Sequence, residues 1–232
     1  MTTPHLLDRP IWNTLATRHK GLAEGDHRAR RFRPSVNLFA AARDDGAEAQ
    51  AALAALMPAN GQLGLVEAEP PQPLAGTRVT FQATLYQMLL DGPLAPAEAA
   101  HAELDWVDLS DADAPAMLEL ATLTRPGPFF TETHRLGRFI GIKRGGKLVA
   151  MAGERMKVPG FAEVSAVCTH PDWRGHGFGI GLMRIAIERM LADGDAVFLH
   201  AYPDNPAVQL YEALGFKVRR EMRFTIVERD DG

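Results

Sequence analysis

VCTHPDWRGHGFGIGLMRIAIERMLA, residues 167–192, is the stretch on which the fold turns. It opens as the end of an apolar strand, breaks at His170-Pro171, and runs through glycines at 175, 177, 179 and 181 into an amphipathic helical pattern from Phe178 to Ala192. Glycines between a strand and a helix let the backbone turn tightly and approach a ligand closely. The first free N–H groups of the helix then converge on one spot, with the positive end of the dipole behind them. Arg174 adds a fixed cation suited to a pyrophosphate, so the expected ligand is a nucleotide-like diphosphate. A P-loop needs Gly-Lys-Ser/Thr, but Phe178 and Gly179 follow Gly177. A Rossmann fingerprint would need its third glycine at Ile180 or Leu182.

Downstream, the pattern predicts a strand at 196–202, a helix at 207–214 ending on Gly215, and a strand at 222–227. Upstream, strands at 138–143 and 147–155 flank a Gly145-Gly146 turn, and a third at 162–169 completes an antiparallel meander. Before these lie a strand at 105–109 and a helix at 111–123 with an acidic start. The first third reads as a βαβ-like unit: a strand at 36–40, an Ala-rich helix at 45–57 and a strand at 64–68. Proline-rich breaks at 70–73 and 91–96 set a boundary, giving a smaller α/β region at 1–103 and a β-rich α/β domain at 104–232.

Composition narrows the function. A chain of 232 residues that is 46% hydrophobic and 23% charged supports one large core or two small ones. A net charge of −4 gives no general attraction to phosphate backbones, so nucleic acid is not an expected partner, although Arg28, Arg30, Arg31 and Arg33 form a local basic cluster. No run approaches the ~20 apolar residues of a membrane span. The lone Cys168 and the absence of a secretory N-terminal pattern point to the cytoplasm.

The run from Val167 to Gly179 resembles the GNAT superfamily of acetyl-CoA-dependent acetyltransferases, whose signature Arg/Gln-x-x-Gly-x-Gly/Ala is met by Arg174, Gly177 and Gly179. Asn205, Tyr211, Gly215 and Phe216 resemble the family's Asn-x-x-Ala-x-x-x-Tyr-x-x-x-Gly-Phe ending. The likeness spans about residues 104–230. It implies a mixed, mostly antiparallel twisted sheet flanked by helices, and suggests that the N-terminal region is a degenerate half of the same kind. It also implies acetyl-CoA as cosubstrate, with no metal. The pantetheine arm would pair with the backbone of Val167, Cys168 and Thr169, and the pyrophosphate would sit on Arg174, Gly175, His176, Gly177, Phe178 and Gly179. Asn205 would touch the arm from the other side, and direct attack by a primary amine, on a small molecule or a peptide, would complete transfer.

By the same resemblance Tyr211 is the general acid that protonates the leaving thiolate; its plainer role is an aromatic packed beside Leu210 and Leu214. Asn205 before Pro206 also reads as a simple helix cap. The attacking amine needs a base, and Glu163, sharing a strand face with Ser165 and Val167, is the first choice, with Glu154 its rival. Cys168 reads better as a buried hydrophobe than as a nucleophile, and His170 and His176 lack metal-site spacing. Trp173 either covers an adenine or anchors the turn. Residues 125–130 and 156–161 are the segments expected to face the acceptor. The competing class is a non-catalytic acyl-CoA-binding sensor; a homodimer is compatible with either.

Overall fold

The computed structural model describes residues 5–59, 61–96 and 104–230. The first third supplies α1 (Pro10–Ala16), β1 (Ala23–Gly25), β2 (Ala29–Phe32), β3 (Ala40–Ala42), α2 (Ala47–Ala55), β4 (Gln62–Glu67) and β5 (Thr77–Leu90). Then follow β6 (Val107–Leu109), α3 (Ala114–Thr124), β7 (Phe139–Arg144), β8 (Lys147–Val158), β9 (Phe161–Thr169), α4 (Phe178–Ala192), β10 (Ala196–Ala201), α5 (Ala207–Leu214) and β11 (Phe216–Arg229).

One sheet of eight strands has the order β4-β11-β5-β10-β9-β8-β7-β6, and a small one has β1-β2-β3. In the large sheet only the β9–β10 pair is parallel. This mixed, mostly antiparallel α/β architecture is the class expected from sequence. Helix α4 lays Leu182, Met183, Ala186, Ile187 and Met190, at helical spacing, over Ile140, Ile142, Ala150, Ala152, Val164 and Val197. A second cluster joins Ile11 and Leu15 of α1 to Met156, Val158, Phe198 and Phe224.

The expected division between residues 103 and 104 falls at a segment, 97–103, outside the described residues. The large sheet takes strands from both sides of it: β5 lies between β10 and β11, and β11 pairs on its other edge with β4. The strand expected at 36–40 begins only at Ala40, because residues 34–36 form a turn in which Val36 N–H donates to Arg33 O (2.8 Å). The final strand starts at Phe216, six residues earlier than its apolar pattern indicates, drawn into register by β5.

Candidate active site

Parallel pairing of β9 and β10 runs from Ala196↔Phe161 to Phe198↔Glu163 and then stops. Beyond it β10 continues along β5, while β9 stays on β8, so the two strands splay. Opposite Met151 to Gly153, β9 carries an extra residue between Ser165 and Cys168, and Ala166 there has φ 54°. Such a bulge bends its strand and leaves a backbone group outside the ladder. A cavity of about 310 Å³ fills the gap, lined by residues 164–167 of β9, residues 199–202, Asn205, Tyr211 and Met183, and closed by residues 125–128.

The turn into α4 sits beside this opening. Gly175 (φ 81°) and Gly177 (φ 73°) adopt left-handed backbone that side chains rarely take, and Gly177 caps α4 without a side-chain partner for its first N–H groups. Gly181 has a different reason: a Cβ there would collide with Leu104 Cδ1. Arg174 is exposed and makes no ion pair among the described residues. Trp173, His176 and Phe178 pack on one another, with Trp173 and Phe178 stacked at 6.3 Å and His176 Nδ1 donating to Arg174 O (3.0 Å). Trp173 therefore anchors the turn. His170 accepts from Asp172 N–H (3.2 Å), a cap rather than a ligand.

The backbone of β9 does not present all three of its expected residues to a ligand. His170 N–H donates to Val149 O (2.8 Å) and Cys168 pairs with Met151, so by alternation Cys168 directs its backbone at β8, whereas Val167 and Thr169 face the open edge. Thr169 Oγ1 and Val167 Cγ1 lie 3.4 and 3.8 Å from where a Cβ on Gly179 would be, which sets that edge against the start of α4. The Cys168 thiol is buried, and burial pushes it up to about 11, so it is no nucleophile at neutral pH.

Asn205 Oδ1 accepts from Ala207 N–H (2.9 Å), the first residue of α5, although the cap position itself falls on Pro206, one residue later than the sequence indicates, and Asn205 also borders the cavity. Tyr211, one turn on, faces the cavity with its ring edge-on to Phe216 at 6.4 Å; burial raises its phenol above the usual value, so it stays protonated. Glu163 does not reach the cavity. The last parallel pair closes over it, its side chain is 0% exposed, and Arg155 binds it through Nε (2.8 Å) and Nη2 (2.5 Å). Burial alone would raise its carboxyl, but the Arg155 charge and hydrogen bonds, then His200, hold it at about 2. A carboxylate so bound is a poor proton acceptor. Glu154 is no freer, since Arg138 Nε (3.0 Å) and Lys157 Nζ (2.5 Å) engage it in a buried site. Both carboxylates expected as bases are structural anchors, because the strands that carry them bury them against cations.

Sequence alone gives no sign of Arg155, whose pairing with Glu163 depends on the β8–β9 register, or of His200, whose partners are distant in the chain. His200 Nδ1 donates to Glu163 Oε1 (2.7 Å), and Gln87 Nε2 donates to His200 Nε2 (3.2 Å) and to Leu7 O (2.8 Å). Phe39, Val66, Leu85 and Phe224 supply an apolar part of the lining, with Phe39 under the Arg155 cation. Of the two segments expected at the acceptor side, residues 125–128 line the cavity, whereas Met156 and Val158 are in the core.

Residues 139–225 match the family model described as FR47-like protein. A crystal structure from Novosphingobium aromaticivorans, assigned to the GNAT family as an acetyltransferase, superposes with a TM-score of 0.89 at 41% identity, over 98% of this chain and 100% of that one. The chain belongs to the GNAT family. A GCN5-related N-acetyltransferase from Kribbella flavida shares the fold at TM-score 0.61, 18% identity and 94% coverage of each chain. The mycothiol acetyltransferase of Corynebacterium aurimucosum is 43% identical over 65 residues, 27% of this GNAT chain. That match spans about a fifth (21%) of the relative's length. Among the described residues no group of three or more His, Cys, Asp or Glu is placed to hold a metal, and no helix is long and apolar enough to cross a membrane.

Proposed function

We propose that this GNAT protein transfers the acetyl group of acetyl-CoA to a primary amine by direct attack. The observation that carries the proposal is the juxtaposition of an uncapped, glycine-turned helix start with an open strand edge and a half-buried, protonated Tyr211. In this reading the pyrophosphate takes Arg174 and the N–H groups from Gly175 to Gly179, with His176 and Phe178 shaping the turn. The pantetheine arm bonds the backbone of Val167 and Thr169 as an added strand would, and Asn205 borders it. An N–H of the Ala166–Val167 bulge polarises the thioester carbonyl. The amine nitrogen forms a bond to the carbonyl carbon, the C–S bond breaks, and Tyr211 protonates the departing sulfur while the amine proton leaves through water. No lining carboxylate is invoked as base. A cytoplasmic setting accords with a single buried thiol.

Calorimetric titration with acetyl-CoA, CoA and ATP tests this, repeated on an Arg174→Ala/Gly177→Ala double variant. Micromolar acetyl-CoA affinity, about 8 kcal/mol, lost in the variant supports the proposal; preference for ATP or no CoA binding defeats it.

A further inference from the structure

The acceptor side of the cavity has a composition that selects among amines. Its lining includes Arg125 and Arg155 and no aspartate or glutamate. Glu163 satisfies Nε and Nη2 of Arg155, leaving Nη1 without a hydrogen bond among the described residues; a Cβ on Gly127 would lie 3.9 Å from it, which places Nη1 under the 125–128 loop. Arg155 is held rigidly, since its cation also lies over the Phe39 ring at 5.5 Å and its carboxylate partner is fixed by His200. Arg125 ends α3 in left-handed backbone (φ 51°), where glycine would be free of strain. Arg125 and Ala166 are the two non-glycine residues with positive φ among those described, and both line this cavity. Against Arg155, beginning with the Phe39 ring beneath its cation, the lining is apolar, with Phe39, Val66, Leu85 and Phe224, and Phe81, 41% exposed, extends it edge-on to Phe224 at 5.7 Å.

A polyamine or another polycationic acceptor would meet two guanidinium groups and no carboxylate in the lining, the Glu163 carboxylate being spent on Arg155 behind it. A carboxylate would meet the planar donors that bind it best. The whole cavity is about 310 Å³ and must also admit the thioester, so the acceptor's share fits one small molecule better than a peptide segment. We propose that the acceptor is an amine that also carries a carboxylate and an apolar side chain, as in an apolar α-amino acid. Arg155 and Arg125 take the carboxylate, and Phe39, Val66, Leu85 and Phe224 surround the side chain. The product is the N-acetyl amino acid and free CoA. This inference rests on the acetyl-transfer reading.

The test compares leucine and phenylalanine with 3-methylbutylamine and phenethylamine, which lack only the carboxylate, and with spermidine and a leucyl peptide amide, using full-length protein and acetyl-CoA. The amino acids are expected to show roughly 10–100-fold higher kcat/KM than the matched amines. Arg125→Ala should shrink that ratio. An Arg155→Met/Glu163→Gln double variant, which leaves no buried charge unpaired, should bring it near one with acetyl-CoA affinity retained. Equal or better use of the carboxylate-free amines, spermidine or the peptide amide overturns the proposal. If acetyl-CoA itself fails to bind, the transfer reading falls instead. Direct titration of phenylalanine against phenethylamine then decides the subsite, with equal affinity counting against it.

Discussion

In the proposed mechanism Tyr211 gives a proton and does not hold the coenzyme, so Tyr211→Phe should lower kcat about 10²-fold with acetyl-CoA affinity unchanged, measured by steady-state kinetics and calorimetry. Glu163→Gln should behave differently. It strands the buried Arg155 cation, lowering stability by about 3–5 kcal/mol in thermal unfolding and raising acceptor KM more than it lowers kcat, the reverse of a lost base. Acid sensitivity should appear in two stages. His19 is buried, with Nε2 on Leu136 O (2.8 Å); burial, partly offset by that hydrogen bond, lowers it from 6.5 to about 4. Its stabilisation is present above pH 6.5 and fades as pH falls toward 4, on the order of 3 kcal/mol. That of Glu163 is present above its ordinary 4.5 and fades toward about 2. Melting temperatures of His19→Gln measured from pH 7 to 4 should be flatter than those of the parent. The sequence exposes Tyr211 and the glycine turn because their spacing is local. It hides the fate of Glu163, which depends on where β9 leaves β10, and it hides His200, 37 residues away.

Among the elements, the α4 and α5 boundaries agree with the apolar periodicity read from sequence, Phe178–Ala192 and Ala207–Leu214, because each has its own turn glycine or Asn-Pro start. β5 escapes such a reading. Val79, Phe81, Ala83 and Leu85 alternate as a strand should, but the strand lies between two proline-rich breaks and its partners are far along the chain. Close packing between strands makes a further expectation: a Cβ on Gly153 would lie within 2.7 Å of Phe139 Cγ and nearer still to other atoms of that ring. Gly153→Ala should therefore cost about 1–3 kcal/mol in denaturant unfolding, and it should disturb the β8–β9 register that sets the bulge.

At the scale of the whole molecule, the N-terminal region up to Leu90 is part of the large sheet and of the cavity lining, through β4, β5, Phe39, Val66 and Leu85. A fragment of residues 104–232 would leave β11 without either neighbour and β10 with an open edge. Expressed alone it should be insoluble or lack cooperative unfolding, whereas independent folding with acetyl-CoA binding would show that the two regions are separable. The same interleaving bears on synthesis at the ribosome. β5 is finished at Leu90, but β10 begins at Ala196, about a hundred residues later. At roughly 5–20 residues per second, a fourteen-residue strand must wait on the order of 5–20 s for its partners, so the nascent chain is a natural client for chaperones that shield unpaired strands.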